Sequence, residues 1–158
     1  MRANERAQPA CVSCGGNVTD DLPLRERVLR TGHWRVAHAF DSGLPGWLVA
    51  LPTRHVTVLD ELEREEAAEL GPLLCDLSAA LRAVTGCTKT YVSLFAEADG
   101  FEHVHFHVVP RMPDQPAELQ GPRVFALLGL PPEQQVPTAQ MDRIAEALQR
   151  AMAARRAG

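Results

Sequence analysis

The sequence predicts a single α+β domain, and three observations predict it. Several short apolar segments read as strands suited to antiparallel pairing, one long stretch carries leucines at helical spacing, and a second amphipathic stretch closes the chain. The chain has 158 residues, 46% hydrophobic and 23% charged, the size and balance of one folded domain rather than a disordered chain.

The strands come first. Residues Arg25 to Phe40 read as extended, with RERVLR and HWRVAHAF separated by a Thr-Gly turn; Trp34, Val36, His38 and Phe40 share one side at a period of two. Asp41-Ser42-Gly43 and Pro45-Gly46 supply a turn, and Trp47–Pro52 reads as a nearly continuous apolar, central strand. TYVSLF (Thr90–Phe95) and EHVHFHVV (Glu102–Val109) are two more, joined by the polar loop AEADG.

The long helix is expected from about Leu62 to Val84. Glutamates crowd its first turns, as the helix dipole favours, and Leu70, Leu73, Leu74, Leu77 and Leu81 form its apolar stripe. Gly71-Pro72 predicts a kink or two abutting helices, and Gly86 a stop. After a loop over Met112–Pro122, Thr138–Arg156 reads as a terminal helix. Residues 1–10 read as a loose tail and 11–158 as one domain, with a C-terminal helical extension from about residue 112.

Composition excludes some functions. A net charge of −4 with no basic run disfavours phosphate-backbone binding to DNA or RNA. No apolar run reaches the roughly 18 residues of a membrane span, and the N-terminus lacks the apolar core of a secretory signal. The expected compartment is therefore the reducing cytoplasm, with the four cysteines as thiols or metal ligands. One lysine against fifteen arginines is read as genomic base composition and decides nothing.

The informative segment is His103-Val104-His105-Phe106-His107-Val108-Val109. On a strand, alternate side chains share a face, so the three histidines line one polar face while Val104, Phe106 and Val108 enter the core. A lone strand histidine is usually structural; strict alternation on an otherwise apolar strand argues for display. The outer two lie about 13 Å apart along a strand, too far to share one tetrahedral ion. At most two neighbouring histidines bind a metal, leaving the third as nucleophile or general acid/base.

Cys11-Val-Ser-Cys14, followed by Gly15-Gly16 as a tight turn, is a CxxC knuckle suited to zinc or to a redox pair. Its place near the terminus before two glycines fits the redox reading poorly. Two further ligands are needed, and Cys75, Cys87, His33, His38, His55 or one strand histidine are candidates. Cys75 and Cys87 are expected as buried packing, and unpaired surface thiols are the plain alternative for the knuckle.

With these residues in view, the chain resembles the histidine-triad (HIT) superfamily, whose signature is His-φ-His-φ-His-φ-φ with φ apolar. HVHFHVV fits every position, and PGWLVALPTRH (Pro45–His55) is similar to the family strand ending in Pro-x-(Lys/Arg)-His. The resemblance covers roughly Cys11 to Arg111 and points to zinc-bearing bacterial-type members, of the diadenosine polyphosphate hydrolase kind. It implies a HIT-like fold with an antiparallel sheet of about five strands, a homodimer, and hydrolysis or transfer of nucleotidyl groups at the α-phosphorus. It implies His105 as the nucleophile and His107 as a contact to phosphoryl oxygens. It also implies a structural zinc ion held by Cys11, Cys14, His55 and His103.

The departures are specific. Trp47 stands where many members carry a fourth histidine, and Phe95–Gly100 lacks the Asn-x-Gly common before the triad. Asp41 is a candidate ribose contact or a plain turn residue. Arg111 is a candidate contact to a distal phosphate or an exposed arginine. Dinucleoside polyphosphates, nucleoside phosphoramidates and nucleotide-sugar-like compounds are the substrate classes implied. A non-catalytic nucleotide- or partner-binding protein on the same scaffold is the alternative, and a metallohydrolase using His105 and His107 on an open zinc site is a third.

Overall fold

A computed structural model describes residues 11–158, so the tail expected over residues 1–10 lies outside the described residues. Five strands form one antiparallel sheet: β1 (Leu29–Arg30), β2 (Trp34–His38), β3 (Leu48–Pro52), β4 (Lys89–Leu94) and β5 (Phe106–Arg111), in the order β1-β2-β3-β5-β4. Three α-helices accompany it: α1 (Val12–Asn17), α2 (Arg64–Thr85) and α3 (Thr138–Ala157). This is the α+β architecture the sequence predicts, with the apolar strand β3 at the centre.

Period-two alternation divides the sheet into two faces. Trp34, Val36, Leu48, Ala50, Phe106 and Val108 pack with Leu73, Leu77 and Leu81 of α2 and with Ala145, Leu148 and Met152 of α3. The opposite face carries Arg35, Ala37, Val49, Leu51 and His107, which line a pocket, and a smaller cluster of Ala39, Leu44, Trp47, Val109 and Val124. Because both faces are covered, all five residues of β2 are buried.

Local chemistry sets the element ends. In α2, Glu63 and Glu66 form a capping box, and Gly86 ends the helix at φ 72°, a conformation that suits glycine. Pro72 sits inside α2 without breaking it into two helices, which corrects that half of the expectation. Both Gly71 and Pro72 are exposed, so the turn missing one N–H faces water while the leucine stripe keeps its packing.

Four other expectations are corrected. RERVLR is not a strand: Leu24–Glu26 forms a 3₁₀ turn after Pro23, and only Leu29–Arg30 pairs. Phe40 leaves the sheet and is exposed, because β2 ends at His38. Gly15-Gly16 is no turn after the knuckle but lies inside α1, where a Cβ on Gly16 would meet Arg35 Nη2 at 2.6 Å. Cys75 is exposed on α2, whereas Cys87 is buried as expected.

The segment after Arg111 is not a detached extension. It runs through 3₁₀ turns, including Gly121–Leu127, and returns Phe125 and Leu128 to the pocket before α3 begins. Arg25 and Asp142 tie α3 back to the start of the chain through contacts of 3.0–3.2 Å.

Candidate metal centre and imidazole pair

The triad segment enters the sheet later than predicted. β5 begins at Phe106, and His103 and His105 precede it because Val104 N–H donates to Val56 O at 2.7 Å rather than to a strand partner. Alternation still holds, but the three histidines do not share one exposed polar face. His103 is fully buried, His107 is 6% exposed, and only His105 is half-buried.

His103 turns toward the CxxC turn. Its Nε2 donates to Pro52 O at 2.9 Å, so Nδ1 keeps its lone pair and faces Cys14 Sγ at 3.4 Å and Cys11 Sγ at 3.6 Å. Cys14 Sγ also lies 3.2 Å from His55 Nδ1. The four donor atoms of Cys11, Cys14, His55 and His103 all lie within 4.8 Å of one another.

Zinc bonds of about 2.0–2.3 Å to nitrogen and sulfur give tetrahedral donor–donor edges of about 3.3–3.8 Å. The observed sulfur–nitrogen separations of 3.2, 3.4 and 3.6 Å sit at that scale. Two thiols and two imidazoles are a donor set for zinc, and the Pro52 carbonyl supplies the outer hydrogen bond that orients a ligating histidine. Burial pushes the His103 imidazole down to about 4, so it stays neutral and able to ligate at ordinary pH. His33 and His38 stand elsewhere: His33 pairs with Glu69 at 2.9 Å, and buried His38 bonds Ala39 O and Gly46 N–H.

His105 and His107 are left metal-free, their ring centroids 4.8 Å apart at a pocket of about 370 Å³. His105 donates from Nδ1 to His103 O at 2.9 Å, which places the lone pair on Nε2. His107 has the opposite polarity. Trp47 Nε1–H donates to its Nδ1 at 3.0 Å, and an indole nitrogen only donates, so His107 carries its proton on Nε2. Burial, with the neighbouring His105 adding to it, pushes His107 down to about 4.

The rest of the pocket is mostly apolar, with Phe40, Phe95, Phe101 and Phe125 among its walls and Val12, Ser13 and Gly16 of α1 at one side. Phe40 and Phe101 stack with centroids 5.9 Å apart. Asp41 lies on the lining, in the turn after β2. Arg111 does not: it ends β5 opposite Lys89 and is not among the pocket residues, so the structure does not bring it to His105.

Trp47 is the residue whose part sequence reading missed. It was visible only as a departure, because nothing in a one-dimensional pattern shows which buried imidazole an indole will meet across sixty positions. Arg35 was missed too. It read as an ordinary strand residue, yet it lines the pocket and bonds α1.

Fold and site together define an α+β domain with a Cys₂His₂ donor set beside two free imidazoles of opposite polarity. Solved structures similar to it include several histidine-triad proteins, and the chain has their fold. A Zn-bound histidine triad family protein from Mycobacterium smegmatis shares 17% identity at a TM-score of 0.65, over 93% of this chain and 96% of that one. A hypothetical histidine triad nucleotide-binding protein from Sulfolobus tokodaii shares 13% identity at 0.67, over 91% and 93%. A uridylyltransferase mutant shares 24% identity at 0.61, over 89% of this chain and 47% of that one. No protein-family model matches the chain, and no curated protein sequence matches it.

Proposed function

We propose that this chain is a zinc-bearing histidine-triad nucleotide hydrolase or nucleotidyl transferase, with His105 as its nucleophile. One observation carries the reading: the Nδ1–H of His105 is committed to the His103 carbonyl, so the Nε2 lone pair is the free end of that imidazole at the pocket. In the proposed reaction Nε2 attacks the α-phosphorus of a nucleotide and a P–N bond forms. The P–O bond to the leaving group breaks, and its electron pair departs on that oxygen. Water, or another hydroxyl acceptor, then attacks phosphorus; the P–N bond breaks, its electron pair returns to Nε2, and the acceptor's proton is released to solvent. The His103 carbonyl, still holding Nδ1–H, offsets the positive charge the ring carries as an intermediate.

His107 supports this step by donating Nε2–H to a phosphoryl oxygen, and the apolar walls suit the base. Asp41 is kept as a candidate ribose contact because it lies on the lining. Zinc bound by Cys11, Cys14, His55 and His103 would be structural: four protein donors leave no open position for water, and it would fix the register of α1 against the triad. A nucleotide-binding protein and a uridylyltransferase are among the structural neighbours, which supports the same chemistry. We extend the reading to the family's homodimer and a cytoplasmic setting; among the described residues no helix is long and apolar enough to cross a membrane.

The test is covalent trapping. The zinc-loaded protein is incubated with a panel of nucleotides labelled at the α-phosphate and quenched with base. Label retained on the protein and lost in His105→Ala, with fold and zinc content unchanged, is the expected result. Turnover retained in a folded His105→Ala variant would sink the mechanism. A second reading, a non-catalytic nucleotide binder, rests on the Phe95–Gly100 loop, which lines the pocket with Phe95, Ala96, Glu97 and Ala98 and so offers one carboxyl group but no amide or hydroxyl side chain to assist a leaving group. Tight nucleotide binding without product or label would favour it.

A further inference from the structure

We propose that Trp47 is a positioning residue that makes His107 a permanent hydrogen-bond donor, unable to act as a general acid, and that the site therefore takes phosphoanhydrides in preference to phosphoramidates. This rests on the nucleotidyl-transfer reading above and narrows it to a class of leaving group.

The geometry begins with the indole. Trp47 is wholly buried just before β3 and meets the His107 ring edge-on, at a centroid separation of 5.8 Å and an interplanar angle of 86°. Phe125 packs against both, with centroids 5.1 Å from Trp47 and 5.0 Å from His107. The Nε1–H to Nδ1 bond is therefore held between rigid rings rather than by a mobile side chain.

A tryptophan at this position differs in kind from a histidine. A histidine partner can donate or accept according to its tautomer, so it can pass a proton along; an indole N–H can only donate. Protonating His107 would put a second hydrogen on Nδ1, facing the Trp47 hydrogen across 3.0 Å, so the bond opposes the imidazolium form. The one remaining proton, on Nε2, cannot be given away without making an imidazolate. His107 can thus polarise a phosphoryl oxygen but has no proton to lend.

The other pocket imidazoles do not replace it. His105 spends Nδ1–H on the His103 carbonyl and uses Nε2 for attack. His38 donates Nδ1–H to Ala39 O and accepts the Gly46 N–H at Nε2, so both its nitrogens are occupied. A leaving group must then depart without an imidazole proton. A phosphate or pyrophosphate leaves from an anhydride as a stable anion; an amine leaves a phosphoramidate only when its nitrogen is protonated.

Two measurements test this. Nitrogen-15 NMR of the zinc-loaded, histidine-labelled protein reads the tautomer without any substrate. His107 should show a pyridine-type Nδ1 and a pyrrole-type Nε2, and Trp47→Phe should abolish that fixed assignment. The second compares kcat/KM for a dinucleoside polyphosphate and a nucleoside alkylphosphoramidate carrying the same nucleotidyl group. The anhydride should lead by at least about tenfold, a transition-state difference of about 1.4 kcal/mol, and the lead should shrink in Trp47→His, whose imidazole can relay a proton. A wild-type His107 protonated on Nδ1 overturns the role of Trp47, whatever the variants do. A wild-type preference for the phosphoramidate overturns the substrate class. No turnover of either compound defeats the nucleotidyl-transfer reading and the preference together, while the NMR result still decides the Trp47 contact.

Discussion

The Nε of Arg35 donates to Asn17 Oδ1 at 2.8 Å, joining β2 to α1 through two buried side chains. The same asparagine donates to Pro52 O at 3.1 Å, the carbonyl that also receives His103 Nε2–H. One carbonyl thus serves both the CxxC turn and a candidate metal ligand, and Arg35 adds a bond to Ser13 O at 3.4 Å.

Asn17→Ala removes an acceptor from a buried guanidinium and a donor from the Pro52 carbonyl. The Pro52 carbonyl keeps its bond from His103, so the cost is that of leaving the buried Arg35 Nε–H unpaired, about 1–3 kcal/mol. The urea midpoint of the zinc-loaded protein should fall accordingly with the slope unchanged. A loss below about 0.5 kcal/mol, the scale of an ordinary surface substitution, would show that this network contributes little.

Removing metal should act on α1 before it acts on the sheet. Six residues containing two glycines cannot hold a helix alone, so α1 depends on its docking. With zinc chelated, amide exchange over residues 11–17 should accelerate by at least an order of magnitude, while Val36, Ala50 and Val108 stay protected. Nucleotide affinity should fall with it, because Val12, Ser13 and Gly16 form one side of the pocket. Equal acceleration in α1 and the central strands would contradict a local role for the site.

Acid should weaken the fold in a defined window. Burial holds His107 down to about 4, so it is neutral in the folded chain at pH values where an unfolded histidine, near 6.5, begins to protonate; burial also lowers His38, which acts in the same direction. Between those values the unfolded state binds more protons, so stability rises with pH and is lost as pH falls from about 6.5 towards 4. His107 contributes a slope of up to about 1.4 kcal/mol per pH unit. His107→Asn should flatten the slope by about one proton's worth, measured as urea midpoints across the window. A wild-type midpoint independent of pH there would refute the assignment.

Much of this was legible in the sequence because alternation and helical spacing are local. Trp34 and Val36 announced the helix-facing side of β2, and the leucines announced α2. The four donors at Cys11, Cys14, His55 and His103 followed from a family pattern, and the structure brings them together. What escaped was set by contacts distant in sequence. Val104 is drawn to Val56 and so delays β5. Phe125 lies beyond the resemblance but returns to the pocket. Gly16 reads as half of a tight turn and proves to be clearance for Arg35 inside α1.

The order in which a ribosome makes the chain gives the Cys₂His₂ set a further meaning. Cys11 and Cys14 are translated first, but His103 follows Cys11 by 92 residues. The centre cannot be completed until β5 is about to be made, so a nascent chain carries an unfilled thiol pair through most of its synthesis. Any fragment ending before residue 103 lacks the fourth donor, which makes retained metal a check that translation has reached the first histidine of the triad.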